Sequence, residues 1–195
     1  MIKHIIFIAL VVGGAFYYWT TRPVTHGPGV VAPSDPVQRE AFGVKPITFD
    51  DYTITALAEI EMESRVLSKK RYYYDKYADV APYDIVFGWG PMSDEKNLNP
   101  ILVKQSDRNF YWEMIEPPIP ENLMRRNTAN MHLIPSSDEI ADKLGDVREG
   151  HVVKLEGYLV KVDSEDGWVL KSSLTRRDVG DKSSEVVWIT NFSIR

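Results

Sequence analysis

Residues 150–174, GHVVKLEGYLVKVDSEDGWVLKSSL, restrict the possible folds more than any other stretch of the chain. They read as two long strands joined by an acidic turn, DSEDG, in which Gly167 can supply a positive φ. In the first arm Val153 and Leu155 share a face, and beyond Gly157 the apolar face is carried by Tyr158, Val160 and Val162. A glycine at a one-residue phase change is the sequence mark of a β-bulge, which bends a strand as a small barrel requires. The return arm alternates Trp168, Leu170, Ser172 and Leu174 against Val169, Lys171 and Ser173, so one face is mostly apolar.

A second long run points the same way. Ile54, Ala56, Ala58, Ile60, Met62, Ser64 and Val66 alternate with Thr53, Thr55, Leu57, Glu59, Glu61, Glu63 and Arg65, giving one apolar and one acidic face. A strand of this length curls round a barrel or runs between two sheets. Further strands are expected at residues 83–87 (YDIVF), 110–115 (FYWEMI), 128–135 (TANMHLIP) and 185–192 (EVVWITNF). Short helices are expected at 95–98, capped by Ser93 or Asp94, and at 121–126, with Pro120 in the first turn. A third is expected at 136–145, where Ser136 and Glu139 form a capping box and Gly145 a stop. Residues 44–195 are therefore expected to fold as one α+β domain. Its form is a strongly bent antiparallel sheet, or partly open OB-like barrel, with two or three short helices.

The N-terminus carries a different signal. Residues 5–19 are an unbroken apolar, small and aromatic run preceded by Lys3. At about 1.5 Å per residue it makes roughly 22 Å, short of the roughly 30 Å of hydrocarbon unless His4, Thr20 and Thr21 extend the helix. Tyr17, Tyr18 and Trp19 form an interfacial aromatic belt, which favours a retained anchor over residues 1–19. The alternative is a cleaved signal peptide with its small residues at Gly13, Gly14 and Ala15. Between residues 20 and 43 four prolines stand among small and polar residues, which predicts a semi-extended tether holding the domain away from the bilayer. His26 is expected to be a solvated linker histidine. The expected address is the bacterial inner membrane, single pass, with the domain on the extracytoplasmic side.

The formal net charge of -5 argues against general nucleic-acid binding. With no cysteine, thiolate chemistry and disulfides are excluded. No cofactor and no metal are expected: the loop at residues 88–94 (GWGPMSD) lacks the glycines and lysine of a phosphate cradle, and no second histidine or acid stands at metal-site spacing from His132. That loop either presents Trp89, Ser93 and Asp94 at the rim of a ligand pocket or is a structural turn around a buried tryptophan. Asn130 and His132 share a strand face, so His132 is the candidate general base, with Asp94, Ser172 or Ser173 as its partner; the competing role is a satisfied buried histidine. Arg176 and Arg177 can hold an anionic group through bidentate hydrogen bonds, or sit in a solvated loop. Residues 69–77 (KKRYYYDKY) interleave bases with tyrosines, a pattern that suits polyanions or single-stranded nucleic acid. The competing reading is a strand end whose rings pack on the core.

GWGPMSD at 88–94, ANMHLIP at 129–135 and GYLVKVDSEDGW at 157–168 together resemble an uncharacterised family of bacterial proteins with one N-terminal hydrophobic segment. The likeness covers most of the chain after residue 43. It implies a bacterial source and carries no functional residues over. GHVVKLEGYLVKV is also similar to the coiled strand of an OB-like barrel, a fold that serves many functions. The reading that follows is a membrane-tethered binding module of the bacterial envelope, with the bilayer contacted through residues 5–19 and a protein partner. The alternatives are a small extracytoplasmic hydrolase using His132, and single-stranded nucleic-acid binding through residues 69–77.

Overall fold

Period-two alternation in the acidic-faced run extends further than its first half suggests, and the computed structural model makes it one strand of 20 residues. The structure describes residues 2–175 and 184–195. In chain order the elements are α1 (Ile2–Thr21), β1 (Val37–Glu40), β2 (Ile47–Phe49), β3 (Tyr52–Arg71), β4 (Tyr83–Gly88), α2 (Glu95–Leu98), β5 (Leu102–Ser106) and β6 (Asn109–Glu113). There follow α3 (Glu121–Arg126), β7 (Thr128–Pro135), α4 (Asp138–Asp146), β8 (Val152–Ser164), β9 (Val169–Lys171) and β10 (Glu185–Ile194).

β3 organises an α+β fold that is mostly one bent sheet. Its first part pairs with β8 and its last part with β4, and both ladders meet at Arg65. β4 then pairs with β7, β7 with β10, and β10 with β8, so five strands form a ring. All of these pairs are antiparallel except β7 with β10, a departure from the expected all-antiparallel sheet. Two register shifts in β3, at Ala56/Ala58 and Val66/Ser68, let it bend enough to serve both neighbours. β1 and β2 pair along β3, β9 extends β8, and β5 and β6 form a separate hairpin.

The ring encloses Met62, Phe87, Met131, Leu133, Leu155 and Phe192. Each large apolar side chain buried in this way contributes on the order of 2 kcal/mol of transfer free energy. A second cluster, including Ile54, Ile134, Val160, Val162 and Trp188, lies on the other side of the sheet: Ile134, Val160, Val162 and Trp188 alternate with interior residues on their strands, and Ile54 precedes the β3 register shift at Ala56/Ala58. α4 packs Ile140 and Leu144 onto the interior cluster. Its cap is one residue later than the expected capping box: Ser137, not Ser136, accepts from the Ile140 amide.

Gly157 has a role different from the expected bulge. β8 keeps its register with β3 through this residue, and the shift lies on β10 between Ile189 and Asn191. A Cβ at Gly157 would collide with the Trp188 carbonyl oxygen, so the glycine permits a close backbone approach.

α1 has 20 residues, which at 1.5 Å each span about 30 Å, and it is long and apolar enough to cross a membrane. Residues 3–21 are exposed throughout. Its C-terminal end meets the domain through Arg148, whose guanidinium donates to the Trp19 and Arg22 carbonyls at 3.3 and 3.4 Å. Residues 24–40 do not stand the domain off as a tether. They lie along it as a strap that ends in the β1 ladder.

Candidate functional site

Of the side chains that the sequence singles out, Asn130 and His132 belong to one polar assembly and Ser93 and Asp94 to another, and the two differ in position and construction. The first begins with alternation in β7, which turns Met131 and Leu133 inward and Asn130 and His132 outward, as expected. β4 places Asp84 opposite His132 in the ladder. This outer face is covered by the β5–β6 hairpin: Gln105 donates to the Asn130 side-chain carbonyl at 3.0 Å, and the Asn130 amide donates to the Arg108 carbonyl at 3.0 Å.

The hairpin turns through Asp107 and Arg108, both at positive φ, and delivers the Arg108 guanidinium to the covered face. Its Nη1 donates to Asp84 Oδ1 at 2.7 Å and to the Ala81 carbonyl at 2.8 Å. Nε and Nη2 grip both oxygens of Asp75 at 3.0 and 2.8 Å, and the group lies 3.9 Å from the centre of the Tyr72 ring. Asp84 Oδ1 also bonds His132 Nδ1 at 2.8 Å. Asp84 is completely buried and His132 is 4% exposed, so the Asp84 carboxylate depends on Arg108 and His132 rather than on water for its hydrogen bonds. Burial pushes the Asp75 carboxyl up, but the Arg108 hydrogen bond and the Tyr77 amide outweigh it and leave the group below its ordinary value. Asp84 Oδ2 has no hydrogen-bond partner among the described residues.

An aspartate bonded to Nδ1 is the arrangement that orients an imidazole for proton transfer. Among the described residues, however, Asp84 is the only hydrogen-bond partner of the His132 imidazole. Neither Asp94 nor a serine of the return arm bonds His132: the Ser172 hydroxyl donates to the Ser173 carbonyl and accepts from the Val186 amide, and the Ser173 hydroxyl donates to the Thr175 carbonyl. What the geometry accomplishes is a latch that fixes the β5–β6 hairpin to the ring.

The second assembly is the dock of the strap. Gly90–Ser93 form a 3-10 turn after β4, and Trp89 is wholly buried in the interior cluster rather than at a pocket rim. Ser93 and Asp94 face the strap. Ser93 Oγ accepts from the Ala32 amide at 3.1 Å, and Asp94 Oδ1 accepts from Gly29 at 3.0 Å while capping α2 through Lys96 at 2.9 Å. Those two amides hold the Asp94 carboxyl below its ordinary value. Glu95 accepts from the His26 amide at 3.1 Å and from Arg65 at 2.6 Å. Burial raises the Glu95 carboxyl, and these two donors more than reverse the effect. His26 is thus a docked residue, its Nε2 2.7 Å from the Gly150 carbonyl. Gly150 itself is at φ +86°, and a Cβ there would collide with the Val24 carbonyl. Beside this junction lies a cavity of about 180 Å³ between Pro23–Thr25 of the strap, Arg65 and the apolar Leu98, Ile101 and Val103.

The basic and aromatic run is largely engaged within the fold. Lys69 donates to the Leu144 and Gly145 carbonyls at the end of α4, Lys70 donates to the Gln105 carbonyl, and Arg71 lies over the Tyr73 and Tyr83 rings. Tyr73 and Tyr74 point outward, Tyr74 with 99% exposure. Arg176 and Arg177 lie outside the described residues.

Sequence reasoning missed Arg108, Asp75, Asp84, Arg65 and Glu95. Asp84 alone had a local signal, a charge inside the apolar run YDIVF. No protein-family model, curated protein or solved structure matches the chain.

Proposed function

We propose that this chain is a membrane-tethered binding module of the bacterial inner membrane, with its domain on the extracytoplasmic side and a protein partner in the envelope. The observation that carries the reading is the outward face of the latched hairpin. Leu102 and Tyr111 are exposed on it, and Ile115, two residues past the end of β6, is fully exposed. Exposed apolar and tyrosine side chains on a rigidly held element are what a protein interface uses for anchors.

The finer fold reading belongs to the same proposal. Numbering β3, β4, β7, β8 and β10 as first to fifth, the ring runs first, second, third, fifth, fourth, with third parallel to fifth and α4 between third and fourth; this supports an OB-like barrel. Such barrels commonly bind through the face of the second and third strands, and here the hairpin occupies that face. A ligand approaching from that side meets Tyr111 and Ile115 first.

A photoreactive amino acid at Ile115 in intact cells tests the interface, with a second one at Lys143 of α4 as control. The expected result is a discrete adduct from position 115 alone, lost on Tyr111→Ser. Equal labelling at both positions, or none, would remove the reading.

A second reading is favoured by the exposure of Tyr73 and Tyr74 between the first two ring strands, a loop that OB-like barrels also use for single-stranded nucleic acid. It calls for oligonucleotide binding that weakens with salt and with Tyr74→Ala. No binding at low salt would dispose of it.

A further inference from the structure

The end of α1 and the domain are joined too closely for the domain to stand free of a bilayer. α1 ends at Thr21, and the Val24 amide already donates to the Glu149 carbonyl at 2.8 Å. Three residues reach at most about 10 Å, and the polar layer on each side of the hydrocarbon is about 5–7 Å thick. If α1 crosses the membrane, the Arg148 guanidinium, within hydrogen-bond distance of the Trp19 carbonyl, lies within that layer.

Two arginines, Arg22 and Arg148, come to this point in a chain that is acidic as a whole. Arg148 Nη2 is 3.4 Å from His151 Nε2, and the Arg148 amide donates to His151 Nδ1 at 3.2 Å. Arg22 stacks over Trp19, 3.8 Å from the ring centre. Neither arginine forms an ion pair among the described residues; the contacts of Arg148 are carbonyls and a histidine. Burial lowers the pKa of His151, and the charges that lower it further are Arg148, Lys69 and His26. Glu149 and Asp146 are the acids nearest in sequence. Guanidinium groups without a carboxylate, held at headgroup depth, suit phosphate oxygens.

We infer that Arg22 and Arg148 form a collar that binds the phosphates of anionic phospholipid headgroups and seats the domain flush on the bilayer. The inference rests on the tether reading above. The test uses the full chain in vesicles of phosphatidylcholine, with and without phosphatidylglycerol, and follows hydrogen exchange at the Val24 and His151 amides. Anionic lipid should slow exchange by roughly fivefold per arginine, and Arg22→Gln and Arg148→Gln should each remove one such share. An Arg148 that only caps the α1 carbonyls would give equal protection in both lipids, and that result overturns the collar. Inorganic phosphate reproducing the protection in neutral vesicles would assign the site to free phosphate, and would overturn the lipid assignment. Alkaline carbonate extraction is read separately: release of the chain from vesicles sinks the tether itself, whereas retention with no lipid dependence sinks only the collar.

Discussion

The latch and the strap dock are both polar, but they are built from different parts of the chain. The latch joins side chain to side chain at its centre, with Arg108 paired to the buried Asp84 and to the more exposed Asp75. The dock joins side chain to main chain, with Ser93, Asp94 and Glu95 receiving the amides of Ala32, Gly29 and His26. In the first, residue identity decides everything, because removing one charge strands another. In the second, the bound segment contributes mostly backbone, so its sequence is nearly free and the path of the chain matters most.

The largest effect that separates them is expected from Arg108→Ala. It leaves Asp84 buried without its counter-ion and should cost about 3–5 kcal/mol in urea unfolding. A loss below about 1 kcal/mol would place the latch with ordinary surface ion pairs and undo the distinction. Gly150→Ala comes next, at about 1–3 kcal/mol, because it combines a positive φ with a collision at the Val24 carbonyl. Its signature should be local: the Val24 and Ala32 amides lose exchange protection while Leu133 in β7 keeps its own. Uniform loss across the ring would mean that the strap is integral to the sheet.

The smallest effect is with acid. The Asp94 and Glu95 carboxyls are depressed in the folded state, so their contribution to docking is complete above the ordinary carboxylate range near about pH 4 and is lost as pH falls through their lowered values. The Gly29 and Lys96 amide resonances should therefore titrate together, with a midpoint below that of a free aspartate. A midpoint at the free value would show that neither amide holds the carboxylate.

The same contrast explains what the sequence disclosed. The ring strands were legible because burial on one face imposes period two: β7 appears at 128–135 as expected, and β3, β4 and β10 lie where alternation places them. The strap was not legible, since a segment held by its amides needs no apolar pattern; among residues 22–40 only Ala32 and Pro36 are buried. β5 was missed for a related reason, because Val103 and Gln105 face the ring while Lys104 pairs with Glu113 on the outside, which leaves a mixed run of no clear period. Asn130 and His132 were correctly placed on one face, but their partners Gln105 and Asp84 come from other elements. Contacts across such separations have no local trace. The shift at Gly157 was read on the wrong strand, because a glycine signals close approach without saying which backbone approaches.

The double service of β3 also fixes the order in which the molecule can assemble. Its β4 partner follows within a short loop, but its β8 partner lies on the order of a hundred residues downstream, a separation that makes ring closure a slow, high-contact-order step. At ordinary synthesis speeds the ribosome needs about 5–20 s to cover that distance. Throughout that interval α1 is already made, and the Glu149–Gly150 seat of the strap does not yet exist. Gly29, Ala32 and β1 can settle early, because Asp94, Ser93 and β3 are made well before, but the Val24 and His26 end of the strap must stay slack beside the helix until Glu149 and Gly150 arrive.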